Sequence, residues 1–197
     1  MRYKILIGTT VYCGLTSLLA IAAPQTYQLE PTHVDVLFSI NHLGFSSKHG
    51  LFRAVAGTLV YDADHPEASQ VTIAIKTDSI DTSFSARDVD LKSDKFFDTM
   101  KFPVMEFKST QITRTGGDMF RVVGDLTLHG VTKPITLKAQ LNGAGKNPFD
   151  QKPTVGFSLN GTLKRSDFGI TEYLPAIGDL VTLTADAEFN QAAPRTK

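Results

Sequence analysis

Apolar and polar side chains alternate with a period of two through most of this 197-residue chain. The pattern is clearest over residues 181–189, where five apolar side chains at odd positions alternate with threonines and acids. Successive side chains of a β-strand point to opposite faces of its sheet, so each such run predicts a strand with one buried face. Similar runs begin at residues 34, 71, 120, 135 and 155, and further strands are expected near 25–29, 51–61 and 104–112. The sequence therefore predicts a mainly β protein of about eight or nine antiparallel strands.

Turn residues separate these runs. Gly116-Gly117-Asp118 predicts a hairpin connection, and the Gly, Asn and Pro residues of 143–153 predict a loop. The alternation fails after Ser85, where we expect a helix over about 86–98 with Ser85 as its N-cap. A second short turn of helix is expected within 41–48. No linker divides the chain, so residues 23–197 are predicted to form a single domain.

Residues 1–22 have the pattern of a cleaved secretory signal. Arg2 and Lys4 precede a mostly apolar, uncharged segment, and Ala20-Ile21-Ala22 matches the A-x-A cleavage pattern. The alternative is a retained anchor, because the uncharged stretch is just long enough to span a bilayer. The small-residue site favours cleavage before Ala23. In a bacterium this predicts a periplasmic location.

The charge balance changes when the predicted signal is removed. The whole chain carries 20 basic and 20 acidic side chains, and loss of Arg2 and Lys4 leaves 18 − 20 = −2. A general nucleic-acid-binding protein would usually carry a basic excess, so that class is disfavoured. The single cysteine, Cys13, lies in the predicted signal, and a thiol-free mature chain suits an oxidising compartment.

A long, ordered set of motifs resembles the YceI-like family. The motifs are Pro31-Thr32-His33, Ser79-Ile80-Asp81-Thr82, Arg87-Asp88, Phe96-Phe97-Asp98, Phe102-Pro103, Gly124 to Pro134 and Arg165 to Ile170. The resemblance covers about residues 26–190. It implies an antiparallel, eight-stranded, lipocalin-like barrel closed by a helix. It also implies a long apolar ligand in the interior, either a polyisoprenoid, a quinone or a fatty-acid derivative, and no established enzymatic activity.

The residues themselves are compatible with such a ligand. An eight-stranded barrel has an interior that side chains can fill or that can hold one small ligand. Each buried methylene contributes about 0.8 kcal/mol, so a long hydrocarbon chain needs no hydrogen bond to bind. A barrel filled by its own side chains fits the alternation equally well, and only the resemblance favours the ligand.

Arg165 is the principal candidate for contacting a polar head group. It continues the odd-numbered row of residues 155–163 and should point inward at the end of its strand. There it could donate hydrogen bonds to a pyrophosphate or carbonyl oxygen. The alternative is an ion pair with Asp167, Asp88 or Asp98 that fixes the lid. The other expected ligand contacts are His33, Phe38, Ile40, His42, Phe96, Phe97, Phe107, Phe157, Leu159 and Asp167.

Two further groups of polar residues have structural interpretations. Asp81, Arg87 and Asp88 are expected to form a network that pins the helix over the barrel, and Asp98 to cap the turn before Phe102. The three histidines at 33, 42 and 49 invite a metal hypothesis. No cysteine and no closely spaced histidine pair accompanies them, so we predict no metal and no cofactor other than a bound lipid.

The functional prediction is an exported lipid-binding protein that stores or carries an isoprenoid or quinone-like molecule, or serves in an envelope stress response. No nucleophile elbow, phosphate-binding loop or dinucleotide motif occurs. The alternatives are an enzyme that acts on such a lipid and a structural stress protein with a filled barrel. Besides the lipid, the expected partners are the inner membrane, through transient contact, and a second copy of the chain.

Overall fold

The computed structural model describes residues 23–192, which are mainly β-strand. The strands are β1 Gln25–His42, β2 Ser46–Phe52, β3 Val55–Tyr61, β4 Gln70–Lys76, β5 Ile80–Asp81, β6 Val104–Gly116, β7 Met119–Leu128, β8 Val131–Lys146, β9 Pro153–Lys164 and β10 Ile177–Gln191. In this part of the chain one α-helix, α1, covers Ser85–Lys92. Short 3-10 turns cover Pro66–Ala68, Thr77–Ser79 and Arg165–Phe168.

The strands form one antiparallel sheet that closes on itself. Its order is β10-β9-β8-β7-β6-β4-β3-β1-β2-β5, and β10 also pairs with β1. Eight strands therefore form the closed ring, which confirms the predicted eight-stranded barrel, while β2 and β5 extend the sheet beyond it. The expected strand at 51–61 is divided between β2 and β3, which pair with successive parts of β1. Closure leaves the eight barrel strands without an open edge.

The register of the strands places their apolar rows on the inside. Val181 of β10 pairs with Leu163 of β9 and Ile40 of β1. Four residues along β10, Ala185 pairs with Leu159 of β9 and with β1 in the same way. Because side chains alternate along each strand, this register aligns the apolar rows of neighbouring strands on one face.

Aromatic side chains fill one end of the barrel. The ring of Tyr61 lies 6.1 Å from that of Tyr27 and 6.3 Å from that of Phe157, which in turn lies 6.4 Å from Phe189. Edge-on contacts at these distances are the geometry that aromatic pairs prefer. The opposite end lies where β1 ends at His42 and β10 begins at Ile177, which pair with each other. The cluster thus closes the end of the barrel opposite His42.

The helix is shorter than the predicted 86–98. It ends at Lys92, and the chain then folds into turns in which the amides of Phe96 and Asp98 both donate to the Ser93 carbonyl (3.1 and 2.8 Å). The Ser93 hydroxyl donates to the carbonyl of Asp90 at 2.6 Å, and serine bonds of this kind compete with helical ones. Phe84 is the N-cap residue, so Ser85 is the first helical residue and does not cap the helix.

Two other local predictions are wrong. Segment 41–48 is a tight β-hairpin in which Leu43 and Gly44 adopt positive φ angles of 57° and 75°. Glycine adopts such angles readily, so Gly44 favours this turn over a helix. The expected loop 143–153 is shorter, because β8 continues to Lys146 and only residues 147–152 connect it to β9. The hairpin connection predicted at Gly116-Gly117-Asp118 is confirmed, because β6 ends at Gly116 and β7 begins at Met119.

The predicted signal, residues 1–22, lies outside the described residues. Within residues 23–192, no helix has the length and apolar character needed to cross a bilayer.

Candidate functional site

The barrel encloses an unfilled lumen of about 500 Å³. Protein interiors are close-packed, and voids larger than a water molecule are few, so a space of this size is not a packing defect. It falls within the usual volume range of small-molecule sites, about 300–1,000 Å³. Its walls are mainly aliphatic and aromatic side chains from all eight barrel strands.

The inward side chains of β1 show that packing stops short of the lumen axis. Val34, Val36, Phe38 and Ile40 all line the lumen, yet each remains only half-buried. Ala185, Leu159 and Leu163 behave in the same way on the neighbouring strands. These side chains are half-buried because they meet empty space where a filled barrel would place other side chains.

Polar groups gather at the end that the aromatic cluster does not fill. We call this end the mouth, and define it by the β1–β2 hairpin, α1 and segment 169–176. Among the described residues that line the lumen, the permanent cations are Lys48, Arg87 and Arg165, and Asp90 is the one carboxylate. His42 and His49 also line it there. The lumen is therefore apolar along its length and mainly cationic at its mouth.

Arg165 is buried at the mouth, at the end of β9, with 5% of its surface exposed. It donates three hydrogen bonds to backbone carbonyls: Nε to Gly178 (2.9 Å), Nη1 to Ile170 (3.1 Å) and Nη2 to Ile177 (3.0 Å). These partners replace the carboxylates considered from sequence, which are not among its described partners. Guanidinium has five N–H donors, so one N–H on each Nη is left for a ligand oxygen.

The charge of Arg165 is held in a weakly polar surrounding. Burial lowers the pKa of its guanidinium, and the nearby Asp179 carboxylate acts in the opposite direction. Asp179 itself accepts from the backbone N–H of Ser166 (2.9 Å) and from its hydroxyl (2.8 Å). These bonds lower the pKa of the Asp179 carboxyl, with a further contribution from Lys164 and Arg165. Arg165 remains cationic at neutral pH.

Thr82 joins α1 to the barrel. Its N–H and hydroxyl both donate to Oδ1 of Asp88, at 2.9 and 2.6 Å. Arg87 donates from Nε to the Thr82 hydroxyl (2.8 Å) and from Nη2 to the Thr82 carbonyl (3.1 Å). The expected network therefore runs through Thr82, with no direct Arg87–Asp88 ion pair among the described contacts. Because Thr82 is buried, this network fixes the start of the helix at the mouth.

Asp81 and Asp98 lie beside this network rather than in it. Asp81 pairs with Arg53, which donates from Nη2 (2.8 Å) and Nε (3.0 Å) to its Oδ2. A backbone bond from Ser83 and the bond from Arg53 lower the pKa of the Asp81 carboxyl. Asp98 acts through its backbone, whose carbonyl accepts from the amides of Lys101 and Phe102 (2.9 and 2.8 Å).

Nine of the eleven expected ligand contacts line the lumen. They are Phe38, Ile40, His42, Phe96, Phe97, Phe107, Phe157, Leu159 and Arg165.

The structure places the other two, His33 and Asp167, outside the lumen. His33 lies on the outer surface, 4.0 Å from Glu188. The alternation already indicates this, since residue 33 has the opposite parity to the inward row of β1. Asp167 is exposed and pairs with Lys133 at 3.5 Å.

Several lumen-lining residues at the mouth were not expected from sequence. Lys48 lies opposite Ile40 in the register, which places it in the inward row. Leu91 and Arg87 are four residues apart on α1, so they share one helix face. Tyr173 lines the lumen from segment 169–176, next to Phe96 (6.0 Å between rings). The parity of Lys48 and the spacing on α1 are signals that could have found three of these residues, whereas nothing local indicates Tyr173.

The three histidines of the metal hypothesis do not converge. His42 and His49 line the mouth, while His33 is outside the barrel. Over residues 23–192, no group of three or more metal-ligating side chains has a geometry that could hold an ion.

Comparisons with known proteins agree with the barrel. The sequence model of the YceI-like domain matches residues 27–189. Protein YceI of Salmonella arizonae is 39% identical over 186 residues, which cover 94% of this chain and 96% of that protein. A crystal structure of the Campylobacter jejuni YceI protein has a TM-score of 0.68 at 32% identity, covering 78% of this chain and 91% of that one.

A more distant structure has the same fold. It is a polyisoprenoid-binding domain from Saccharophagus degradans implicated in plant cell wall breakdown, with a TM-score of 0.64. It is 16% identical, and the match covers 85% of this chain and 99% of that one. The family match spans nearly the whole barrel, and the match to protein YceI covers 96% of that protein, so this chain belongs to the YceI-like family.

Proposed function

We propose that this protein is an exported carrier that holds one long apolar lipid, of isoprenoid or quinone type, in the lumen of its barrel. The observation that carries the proposal is the lumen itself, about 500 Å³ of space walled mainly by apolar side chains. Burying about ten methylenes there would contribute about 8 kcal/mol before ordering costs, enough for micromolar binding. The polyisoprenoid-binding domain with the same fold supports this ligand class.

The polar end of the ligand would lie at the mouth. Arg165 has two N–H groups left for a pyrophosphate or carbonyl oxygen, and Lys48 and Arg87 add positive charge nearby. In this orientation the hydrocarbon chain leaves water completely while the head group keeps hydrogen bonds. The aromatic cluster of Tyr61 and Phe157 would meet the far end of the chain.

We propose storage or transport of the lipid over catalysis, and we place this role in the periplasm or in an envelope stress response. Thr82, a hydroxyl at the lumen wall, donates to Asp88 and accepts from Arg87, so it is engaged in holding α1. Export rests on the A-x-A pattern before Ala23. If the protein is exported, the periplasmic fraction should contain a chain whose intact mass shows that it begins at Ala23.

The test of the proposal is organic extraction of protein purified without detergent, followed by mass spectrometry of the extract. Ala185→Trp places an indole in the lumen, and Thr182→Trp on the same strand places one on the outer face as a matched control. We expect a polyisoprenoid or quinone from the wild type and the control, and little from Ala185→Trp. Equal lipid in all three proteins, or none in the wild type, would contradict a lumen-bound ligand.

A further inference from the structure

Exposed apolar side chains project from the mouth of the barrel. Phe45 and Leu43, at the tip of the β1–β2 hairpin, are 89% and 50% exposed. Phe84 and Val89, at the start and middle of α1, are 58% and 71% exposed. Large apolar side chains this exposed, on elements at the same end of a barrel, mark an interaction surface.

These side chains surround one opening. The hairpin that carries Phe45 also supplies His42 and Lys48 to the lumen wall, and α1 supplies Arg87 and Leu91. The amide of Leu43 donates to the carbonyl of Ala176 at 2.9 Å, which joins the hairpin tip to segment 169–176. The exposed apolar residues therefore lie on elements that border the lumen entrance.

We propose that this rim, defined as Leu43, Phe45, Phe84 and Val89, docks the mouth onto a lipid bilayer. The inference rests on the proposed lipid-carrying function and names the surface through which lipid enters and leaves. Each methylene of a long apolar chain that is exposed to water costs free energy, so transfer is efficient only where the lumen opens directly onto the bilayer. Side chains on convex tips, such as Phe45, suit insertion between lipids better than they suit a groove.

The charged side chains that line the lumen at the mouth fit phosphate head groups. Lys48, Arg87 and Arg165 outnumber the single carboxylate of Asp90 among the described lumen-lining groups. The guanidinium of Arg87 lies 5.5 Å from the ring centre of Phe84, so a cation stands beside one of the inserting side chains. Basic groups adjacent to inserted aromatic residues strengthen binding to anionic lipids.

Co-sedimentation of the mature protein with vesicles of phosphatidylcholine and phosphatidylglycerol in equal parts tests the proposal. We expect Phe45→Ser to weaken vesicle binding by about ten-fold or more. Phe149→Ser is the matched control, because Phe149 is 94% exposed on the connection at the opposite end of the barrel. Its vesicle binding should equal that of the wild type.

Failure of the wild type to bind vesicles, or equal binding by Phe45→Ser, would overturn the proposal. Light scattering tests whether a second copy of the chain occupies the rim instead. A dimer that is lost in Phe45→Ser without a change in vesicle binding would assign the rim to that second copy. Lipid extracted from the purified protein is measured in parallel. A wild type that contains lipid but ignores vesicles would overturn bilayer docking and leave the lipid-carrying function standing.

Discussion

The Nη1 of Arg165 donates to the carbonyl of Ile170 at 3.1 Å, which ties the end of β9 to the segment that follows it. The same guanidinium reaches Gly178 and Ile177 at the start of β10. A single buried side chain therefore holds together the backbone around the mouth, and its remaining donors are the part available to a ligand.

Replacing Arg165 with alanine should lower the free energy of unfolding by about 3 kcal/mol or more. The substitution leaves three carbonyls without their donor, and each unsatisfied buried group costs about 1–3 kcal/mol. Chemical denaturation measures this loss. Arg121→Ala, at an exposed position of β7, is the matched control and should change stability by less than about 0.5 kcal/mol. A similarly small effect at Arg165 would show that its three hydrogen bonds contribute little.

The role of Arg165 in holding a head group needs a milder variant. Arg165→Lys keeps the charge but cannot reproduce the planar fork of donors. If the fork contacts the ligand, this variant should retain less lipid on purification even when it is folded at low temperature. Unchanged lipid content in folded Arg165→Lys would show that Arg165 only makes structural hydrogen bonds and does not hold the head group.

Gly50 is required by the ring of Phe38. A Cβ at position 50 would lie 2.5 Å from Cζ of Phe38 and 2.9 Å from the methyl of Thr82. We expect Gly50→Ala to cost about 1–3 kcal/mol of stability through overpacking. Gly143→Ala, where nothing lies within 4 Å, is the control and should be nearly neutral. In the double variant with Gly50→Ala and Phe38→Leu, the smaller leucine side chain should recover part of the lost stability. No recovery would show that the strain arises elsewhere.

The network around Thr82 should control the local stability of α1. Asp88→Ala removes the carboxylate that accepts from the amide and hydroxyl of Thr82, so we expect faster amide hydrogen exchange in α1. Exchange in the barrel strands should stay at its wild-type rate. Asp94→Ala, at an exposed position just after the helix, is the matched control. Uniformly faster exchange throughout the barrel would mean that Asp88 stabilises the whole fold and not the helix.

The Asp179 carboxylate should contribute stability at neutral pH that is lost in acid. Its bonds from Ser166 lower its pKa in the folded protein. A group with a lowered pKa stabilises the fold fully above its unfolded pKa, near 4, and loses that contribution as pH falls through the folded value. Because the side chain is partly exposed, we expect Asp179→Asn to cost only about 1 kcal/mol at pH 7. Denaturation at pH 7 and pH 3 should show this difference shrinking, and a difference independent of pH would refute the assignment.

The alternation of side chains was sufficient to predict the strands and most of the lumen wall. The inward rows of β9 and β10 are where parity places them, because a closed barrel gives every strand one interior face. Parity also shows why His33 is outside, since it is out of phase with Val34. The predicted signal at residues 1–22 stays a prediction.

The features that the sequence does not predict depend on tertiary hydrogen bonds and packing. The helix α1 ends at Lys92, where the Ser93 hydroxyl bonds the carbonyl of Asp90. The helical pattern of the sequence does not indicate that this bond forms. The partners of Arg165 are backbone carbonyls up to 13 residues away. Because every residue has such a carbonyl, no residue type in the sequence indicates these partners. Whether the barrel is filled or empty was equally undetermined, because the same alternation describes both.

Native mass spectrometry of the mature protein, purified without detergent, tests whether the lumen holds a lipid. We expect a species heavier than the polypeptide by the mass of one polyisoprenoid or quinone-type lipid per chain, and we expect it to be absent in Ala185→Trp. The Thr182→Trp control should carry the same added mass as the wild type. A wild type that shows only the polypeptide mass, even after incubation with polyprenyl lipid, would contradict a lipid-holding lumen.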